Sequence, residues 1–80
     1  MRVSTEKTDP GYTPLAGRYR VMLDGVELRR CVTADDVEGL AIVIAEDEHG
    51  NVRRSVGGFP LRETRRGRVE LILTRPQPQR

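Results

Sequence analysis

The stretch RYRVMLDGVELRRCV, residues 18–32, determines the fold that this sequence predicts. Its first half alternates polar and apolar residues, so that Tyr19, Val21 and Leu23 share one face, as in a half-buried β-strand. The dipeptide Asp-Gly follows at positions 24–25, and both residue types tolerate the positive φ that a type I′ hairpin turn requires. The stretch therefore predicts two antiparallel strands joined by a tight turn.

The second strand of this hairpin is expected to place Val26, Leu28 and Val32 on one face. Arg30 falls on the same face, which indicates a sheet edge, a side chain that extends to solvent, or a β-bulge. Cys31 is the only cysteine, so it cannot form an intramolecular disulfide or, alone, a zinc site. We expect it to be a small packing residue.

Further β-structure is expected after the hairpin. Residues 34–39, ADDVEG, interrupt the alternation, and an aspartate there is expected to cap one short helical turn. Residues 40–46, LAIVIAE, are almost wholly apolar, which is typical of a central strand covered on both faces. The DEHGN sequence at 47–51 predicts a second hairpin turn, and residues 52–56 resume a strand.

The last third of the chain predicts an edge segment and a closing strand. After a glycine pair at 57–58, Phe59 and Leu61 are expected in the core, and Pro60 marks the segment as a sheet edge. A third turn centres on Gly67. The closing strand is expected to direct three residues inward: Val69, Leu71 and Leu73.

Regularly spaced turn signals predict an all-β fold, a small antiparallel barrel or roll of five to six short strands. The single domain is expected to span residues 18–74. Residues 1–17 contain prolines and glycines without periodicity, and residues 75–80 read RPQPQR. Both segments are therefore predicted to be disordered, flexible tails.

No run of 18 apolar residues and no apolar stretch after the N-terminal charges occur in the sequence. Neither a transmembrane helix nor a signal peptide is therefore expected. The sequence predicts a location in the cytoplasm or in a particle assembled there, without contact to a membrane.

The charges are separated along the chain. Residues 34–48 carry six acids and no Lys or Arg, whereas residues 49–80 carry eight arginines and two acids. We therefore expect a contact surface made of arginines on the outward side of the sheet and a complementary acidic loop. Its members are Arg29, Cys31, Arg53, Arg66 and Arg68 on the sheet and Asp35, Asp36 and Glu38 in the loop.

Residue types that carry chemistry are few. Asp47, Glu48 and His49 form the one cluster of metal-ligating types, but neighbours in a tight turn point apart, so a solvated turn is expected. The carboxylates of residues 35–38 would need a desolvated cleft for acid–base chemistry, and so short a chain has little room for one. We therefore expect no catalytic residue, no metal ligand, no cofactor and no small-molecule substrate, hence a protein that is not an enzyme.

Two classes of partner follow from the arginines. A protein partner or a homo-oligomer is the first expectation. Nucleic acid is the alternative, since arginines on strands contact phosphates. Single-strand binding by small barrels also uses exposed aromatic side chains, and here only Tyr12, Tyr19 and Phe59 are available, two of them expected in tail or core.

The central segment resembles small uncharacterised proteins encoded by tailed bacteriophages and prophages of Gram-negative bacteria. The shared pattern is Y-R-V at 19–21, D-G at 24–25, the single Cys31, A-D-D-x-E-G at 34–39 and R-G-R-V-E at 66–70. This resemblance implies a bacterial or phage source, and with it a bacterial host cytoplasm or a phage particle as the location. The charge separation and the small core, and not the resemblance, lead us to expect a structural or protein-interaction module. The resemblance implies no activity, cofactor or catalytic residue.

Overall fold

The computed structural model describes residues 1–13 and 18–74, and its regular elements are antiparallel β-strands. In chain order they are β1 (Arg2–Ser4), β2 (Tyr19–Leu23), β3 (Val26–Glu27), β4 (Cys31–Asp35), β5 (Leu40–Ile44), β6 (Arg62–Arg66) and β7 (Val69–Leu73). The all-β prediction is confirmed. The described strands number seven, more than the five or six expected.

The strands form two sheets, ordered β1-β4-β5-β6 and β3-β2-β7. The chain passes from the second sheet to the first between β3 and β4, and it returns between β6 and β7. No closed barrel is found among the described strands, so the barrel alternative of the predicted barrel or roll is wrong. Because the chain changes sheet at these two links, the strands do not pair continuously, as they would have to in a closed barrel.

The hairpin of β2 and β3 is confirmed, with Leu23 paired to Val26 and positive φ at Asp24 (51°) and Gly25 (85°). The predicted second strand is wrong beyond Glu27. Arg30 has a φ of 56°, and the chain leaves the sheet there, so that β4 pairs with β5 instead. The irregularity expected near Arg30 is present, because the β4–β5 register shifts between residues 31 and 33.

A small core lies between the two sheets. Val3 and Ala34 come from the first sheet and Val21 and Val69 from the second, and all four side chains are buried. Half-buried residues surround them: Tyr19, Leu23, Leu28, Cys31 and Leu71.

The predicted N-terminal tail is wrong for residues 1–13. Arg2–Ser4 pairs with β4, Val3 enters the core, and Ser4 is completely buried with its hydroxyl 2.8 Å from that of Thr33. β1 could not be predicted from the sequence, because three residues are too few to show an alternating pattern. The domain therefore includes residues 1–13, whereas the expectations for 14–17 and 75–80 lie outside the described residues.

β5 occupies the interior position predicted for residues 40–46, between β4 and β6. Ala41 and Val43 are buried on one face, and the alternate residues on the other face are half-buried. β6 pairs with β5 alone, and none of its five residues is buried. The sheet is therefore a single thin layer at this edge.

Three residues expected in the core are exposed instead. Phe59 is 73% exposed, Leu61 38% and Leu73 55%. Residues 59 and 61 lie in the connection that leads to the thin edge, where no second layer covers them, and Leu73 lies at the end of β7. Their apolar character alone was therefore a poor guide to burial.

Candidate functional site

The connection between β5 and β6, residues 45–61, contains two short hairpins, and the place where their bases meet is here called the fork. Three backbone hydrogen bonds close a ring at the fork: Ala45 N–H donates to Leu61, Leu61 N–H to Arg53, and Arg53 N–H to Ala45, at 2.8, 2.8 and 2.9 Å. Each of the three residues donates through its N–H and accepts through its carbonyl. The ring therefore fixes the base of both hairpins to the end of the sheet.

The first hairpin, residues 46–52, is held by its own turn residues. The Asp47 carboxylate accepts hydrogen bonds from the N–H groups of His49 (2.8 Å) and Asn51 (2.9 Å), and these bonds, that of Asn51 first, lower its pKa. Gly50 supplies a φ of 81°. Glu48 and His49 point into solvent, with 3.5 Å between the Glu48 carboxylate and the His49 imidazole. The predicted solvated turn is confirmed.

The second hairpin, residues 54–60, is here called the finger. Ser55 N–H donates to the Phe59 carbonyl (2.8 Å), and the Ser55 hydroxyl accepts from Phe59 N–H (3.2 Å). Gly58 closes the turn with a φ of 84°, and its carbonyl accepts from the Arg54 guanidinium at 3.1 Å. The finger is therefore a defined turn rather than a loose loop.

The tip of the finger displays apolar side chains to solvent. Val56 is fully exposed and Phe59 is 73% exposed. Small proteins expose single apolar residues routinely, but a large aromatic side chain and a branched aliphatic one on one rigid turn are less ordinary. The tip therefore has the composition of a contact anchor.

Arginines surround the finger and continue along β6. Residues 53–66, here called the arginine-rich arm, carry five arginines and one glutamate, a net charge of +4. Within the arm, Arg65 lies 3.0 Å from Glu63, and Arg62 pairs with Glu6 of the N-terminal segment. Arg53 and Arg66 form no ion pair with the described residues.

The arginines predicted as one contact surface lie at separate places. Arg53 lies at the fork, and Arg66 lies at the opposite end of β6. Arg68 follows the turn between β6 and β7, with its guanidinium 3.7 Å from Glu70. Arg29 lies in the link between β3 and β4. Of these four, only Arg53 and Arg66 belong to the arginine-rich arm.

The acidic residues predicted as the complementary loop have mainly local roles. Asp35 is buried, and its carboxylate accepts from the N–H groups of Val37 and Glu38, each at 3.0 Å. The bond from Glu38 contributes most to the lowered pKa of Asp35. Asp36 lies 2.6 Å from the N-terminal ammonium of Met1. Glu38 is exposed, and the expected helical turn is a tight turn that Asp35 caps.

A cleft of about 340 Å³ lies between β4 and the β2–β3 hairpin. Tyr19, Val21, Leu28 and Cys31 contribute apolar walls, and charged residues lie among its lining: Arg20, Glu27 and Arg30. Burial raises the pKa of the Cys31 thiol, which lies 3.3 Å from the Thr33 carbonyl. Asp47 and His49 do not belong to the lining of this cleft.

Over residues 1–13 and 18–74, no group of three or more His, Cys, Asp or Glu side chains is arranged to hold a metal ion. Within the same ranges, no helix has the length and apolar character to cross a membrane. The fold and site thus define a small two-sheet antiparallel β-protein with an exposed basic arm. In comparisons with protein-family models, curated proteins and solved structures, no match was found.

Proposed function

We propose that this chain is a non-enzymatic structural or protein-interaction module that uses the arginine-rich arm as its contact surface and the finger tip as its anchor. The single observation that carries this proposal is the exposure of Phe59 beside the fully exposed Val56. A prophage origin, and a partner in a phage particle or its assembly, belong to the same proposal.

Interface physics supports the anchor. Aromatic residues and arginine are enriched in protein interfaces, and a few buried anchors supply most of the binding free energy. The hydrogen bonds of Ser55 and Arg54 hold the finger in place before binding. Less conformational entropy is then lost on association, so a small surface binds more tightly.

The state of Cys31 supports the non-enzymatic part of the proposal. A thiol acts as a nucleophile in its thiolate form, and burial works against that form by raising the pKa of Cys31. No residue of the finger belongs to the lining of the cleft that contains Cys31.

Site-specific photocross-linking in the producing cell tests this proposal. A photoreactive phenylalanine analogue at position 59 is expected to capture a protein partner, whereas the same analogue at Ile72, which is also an exposed apolar residue, is not. The captured protein, once purified, should bind the wild-type chain and lose roughly tenfold or more of its affinity for Phe59→Ser. Equal labelling from both positions, or equal binding of Phe59→Ser, would refute the anchor.

Single-stranded nucleic acid is a second candidate, and the exposure of Phe59 favours it. Stacking of bases on an exposed aromatic ring next to arginines is a common mode of single-strand binding. Fluorescence anisotropy with a labelled oligonucleotide tests it. The affinity should fall with salt and should weaken for Phe59→Ser and Arg53→Ala. Absence of binding at low salt would exclude this candidate.

A further inference from the structure

The outer edge of β6 presents unpaired backbone groups. Gly67 N–H donates to the Gly39 carbonyl (3.0 Å), and Ala45 N–H donates to the Leu61 carbonyl (2.8 Å). In the alternating antiparallel pattern, the backbone N–H and C=O groups of the odd-numbered residues of this strand therefore point towards β5. The N–H and C=O groups of residues 62, 64 and 66 therefore point away from β5. Within the described part of the chain, no strand pairs with this edge.

The side chains of β6 carry a charge pattern that is complementary to itself. Glu63 and Arg65 lie on the face of the sheet that also carries Ala41 and Val43, and Thr64 lies on the other face between two arginines. If a second copy of β6 runs antiparallel with Thr64 opposite Thr64, Glu63 of each copy lies opposite Arg65 of the other. Glu63 and Arg65 already lie 3.0 Å apart within each copy, so the four side chains would form one cluster of alternating charge across the contact.

We propose that β6 pairs antiparallel with β6 of a second copy of this chain, with the twofold axis at Thr64. This joins the two four-stranded sheets into one continuous sheet. Residues 62, 64 and 66 would form the hydrogen-bonded pairs, roughly six backbone bonds in all. The proposal assigns a partner, a second copy, to the β6 edge of the arginine-rich arm, so it deepens the proposed function there. It does not depend on the Phe59 anchor, and each can therefore fail without the other.

The charges select this register. A shift by one residue of the twofold axis in either direction keeps the hydrogen-bonding pattern but places Glu63 opposite Glu63, or Arg65 opposite Arg65. Like charges directly opposite destabilise a strand pair. In the proposed register Arg62 lies opposite Arg66, but Glu6 already neutralises Arg62 within each copy.

Charged edge strands usually discourage pairing, because the charges of two such strands repel one another. β6 is different, since opposite signs meet on one face in the proposed register. A contact of five residues is smaller than a standard protein interface. We therefore expect a reversible dimer that dissociates on dilution.

Sedimentation equilibrium of the full chain tests the dimer. The mass should rise with concentration from 9.0 kDa towards twice that value. Thr64→Pro removes an N–H that points away from β5, so it should abolish the dimer without breaking a hydrogen bond within the monomer. Thr64→Val retains the N–H and should dimerise. A strictly monomeric wild-type chain at millimolar concentration would overturn the proposal.

Charge exchange tests the register without relying on proline. Glu63→Arg and Arg65→Glu should each raise the dimer dissociation constant roughly tenfold or more, because each variant places like charges opposite one another at two sites. The chain with both substitutions should recover the dimer, and an equimolar mixture of the two single variants should form a heterodimer. A dimer that none of these changes affects would show that another surface is used, and the proposal would fail.

Discussion

The Asp24 carboxylate accepts a hydrogen bond from the backbone N–H of Arg68 at 2.8 Å, and the Asp24 N–H donates to the Arg68 carbonyl at 2.9 Å. Asp24 is the first turn residue of the β2–β3 hairpin, and Arg68 is the last residue of the link between β6 and β7, where the chain changes sheets. One aspartate therefore both forms a turn with positive φ and fixes the end of the link between the two sheets.

Substitutions at Asp24 should separate these two roles. Asp24→Gly retains the positive φ and loses the carboxylate, so it should lower the free energy of unfolding by about 1 kcal/mol. Asp24→Ala also places an alanine at a φ of 51°, and the loss should approach about 2 kcal/mol. Urea unfolding measures both. Equal stabilities of the two variants would show that the φ of Asp24 costs nothing.

At Gly39, the cost of a positive φ can be separated from the cost of a close contact. Here the turn before β5 approaches the link between β6 and β7. Gly39 has a φ of 66°, and a Cβ there would lie 2.6 Å from the Gly67 carbonyl oxygen. Gly50 has a φ of 81° but open space around it. Gly39→Ala should therefore destabilise the protein clearly more than Gly50→Ala, which should cost about 1 kcal/mol. Similar unfolding midpoints for the two variants would contradict the close approach.

Local turn chemistry could be predicted from the sequence, because it depends on a few neighbouring residues. The turns at Asp24-Gly25 and at residues 47–51 are where the sequence predicts them, as is the interior position of β5. β4 and β5 form a further hairpin around the tight turn at residues 36–39. The sequence did not predict it, because residues 34–39 were expected to form a helical turn and the alternation over residues 26–32 favours one strand that continues to pair with β2.

The candidate site was less predictable than the fold. The sequence identifies Arg53 and Arg66 as surface residues, but it predicts Phe59 to be buried, since most phenylalanines are. Only the thinness of the sheet at β6 leaves Phe59 exposed. The one signal in the sequence was the neighbouring glycine pair at 57–58, which favours a tight turn that projects outward.

Stability should fall in acid partly because of Asp9. Its carboxylate accepts two hydrogen bonds from the Arg2 guanidinium, at 2.8 and 2.9 Å, and a third from Gly11 N–H, and these contacts lower the pKa of Asp9 from 3.8 to about 2. A lowered pKa in the folded state stabilises the protein above the unfolded-state value, and this contribution is lost as the pH falls from about 4 to about 2.

Urea unfolding of wild-type protein and Asp9→Asn at several pH values between 5 and 2 measures this contribution. The two proteins should differ most at pH 5 and converge towards pH 2. Asp35 and Asp47 also have lowered pKa values, so both proteins should still lose stability in acid. A constant difference between the two curves would show that Asp9 is not coupled to folding through its charge.

Replacement of Phe59 should have little effect on stability because its side chain is exposed, whereas replacement of a buried phenylalanine would be costly. Phe59→Ser should change the free energy of unfolding by less than about 0.5 kcal/mol, because its side chain is already in solvent. Val69→Ala removes two methyl groups from the core and should cost about 2 kcal/mol. A large loss for Phe59→Ser would place Phe59 in the core after all, and the finger would lose its role as anchor.

The reactivity of Cys31 should report the state of the cleft between the sheets. Burial raises the pKa of its thiol, so at pH 8 the thiolate fraction in the folded protein should be lower than that of free cysteine. Alkylation by iodoacetamide should therefore be slower than for free cysteine, and should reach the free rate in urea. Cys31→Ser is the control for reaction at other side chains. Alkylation faster than free cysteine would mean that a neighbouring group activates the thiol, and the non-enzymatic proposal would then have to give way to chemistry in this cleft.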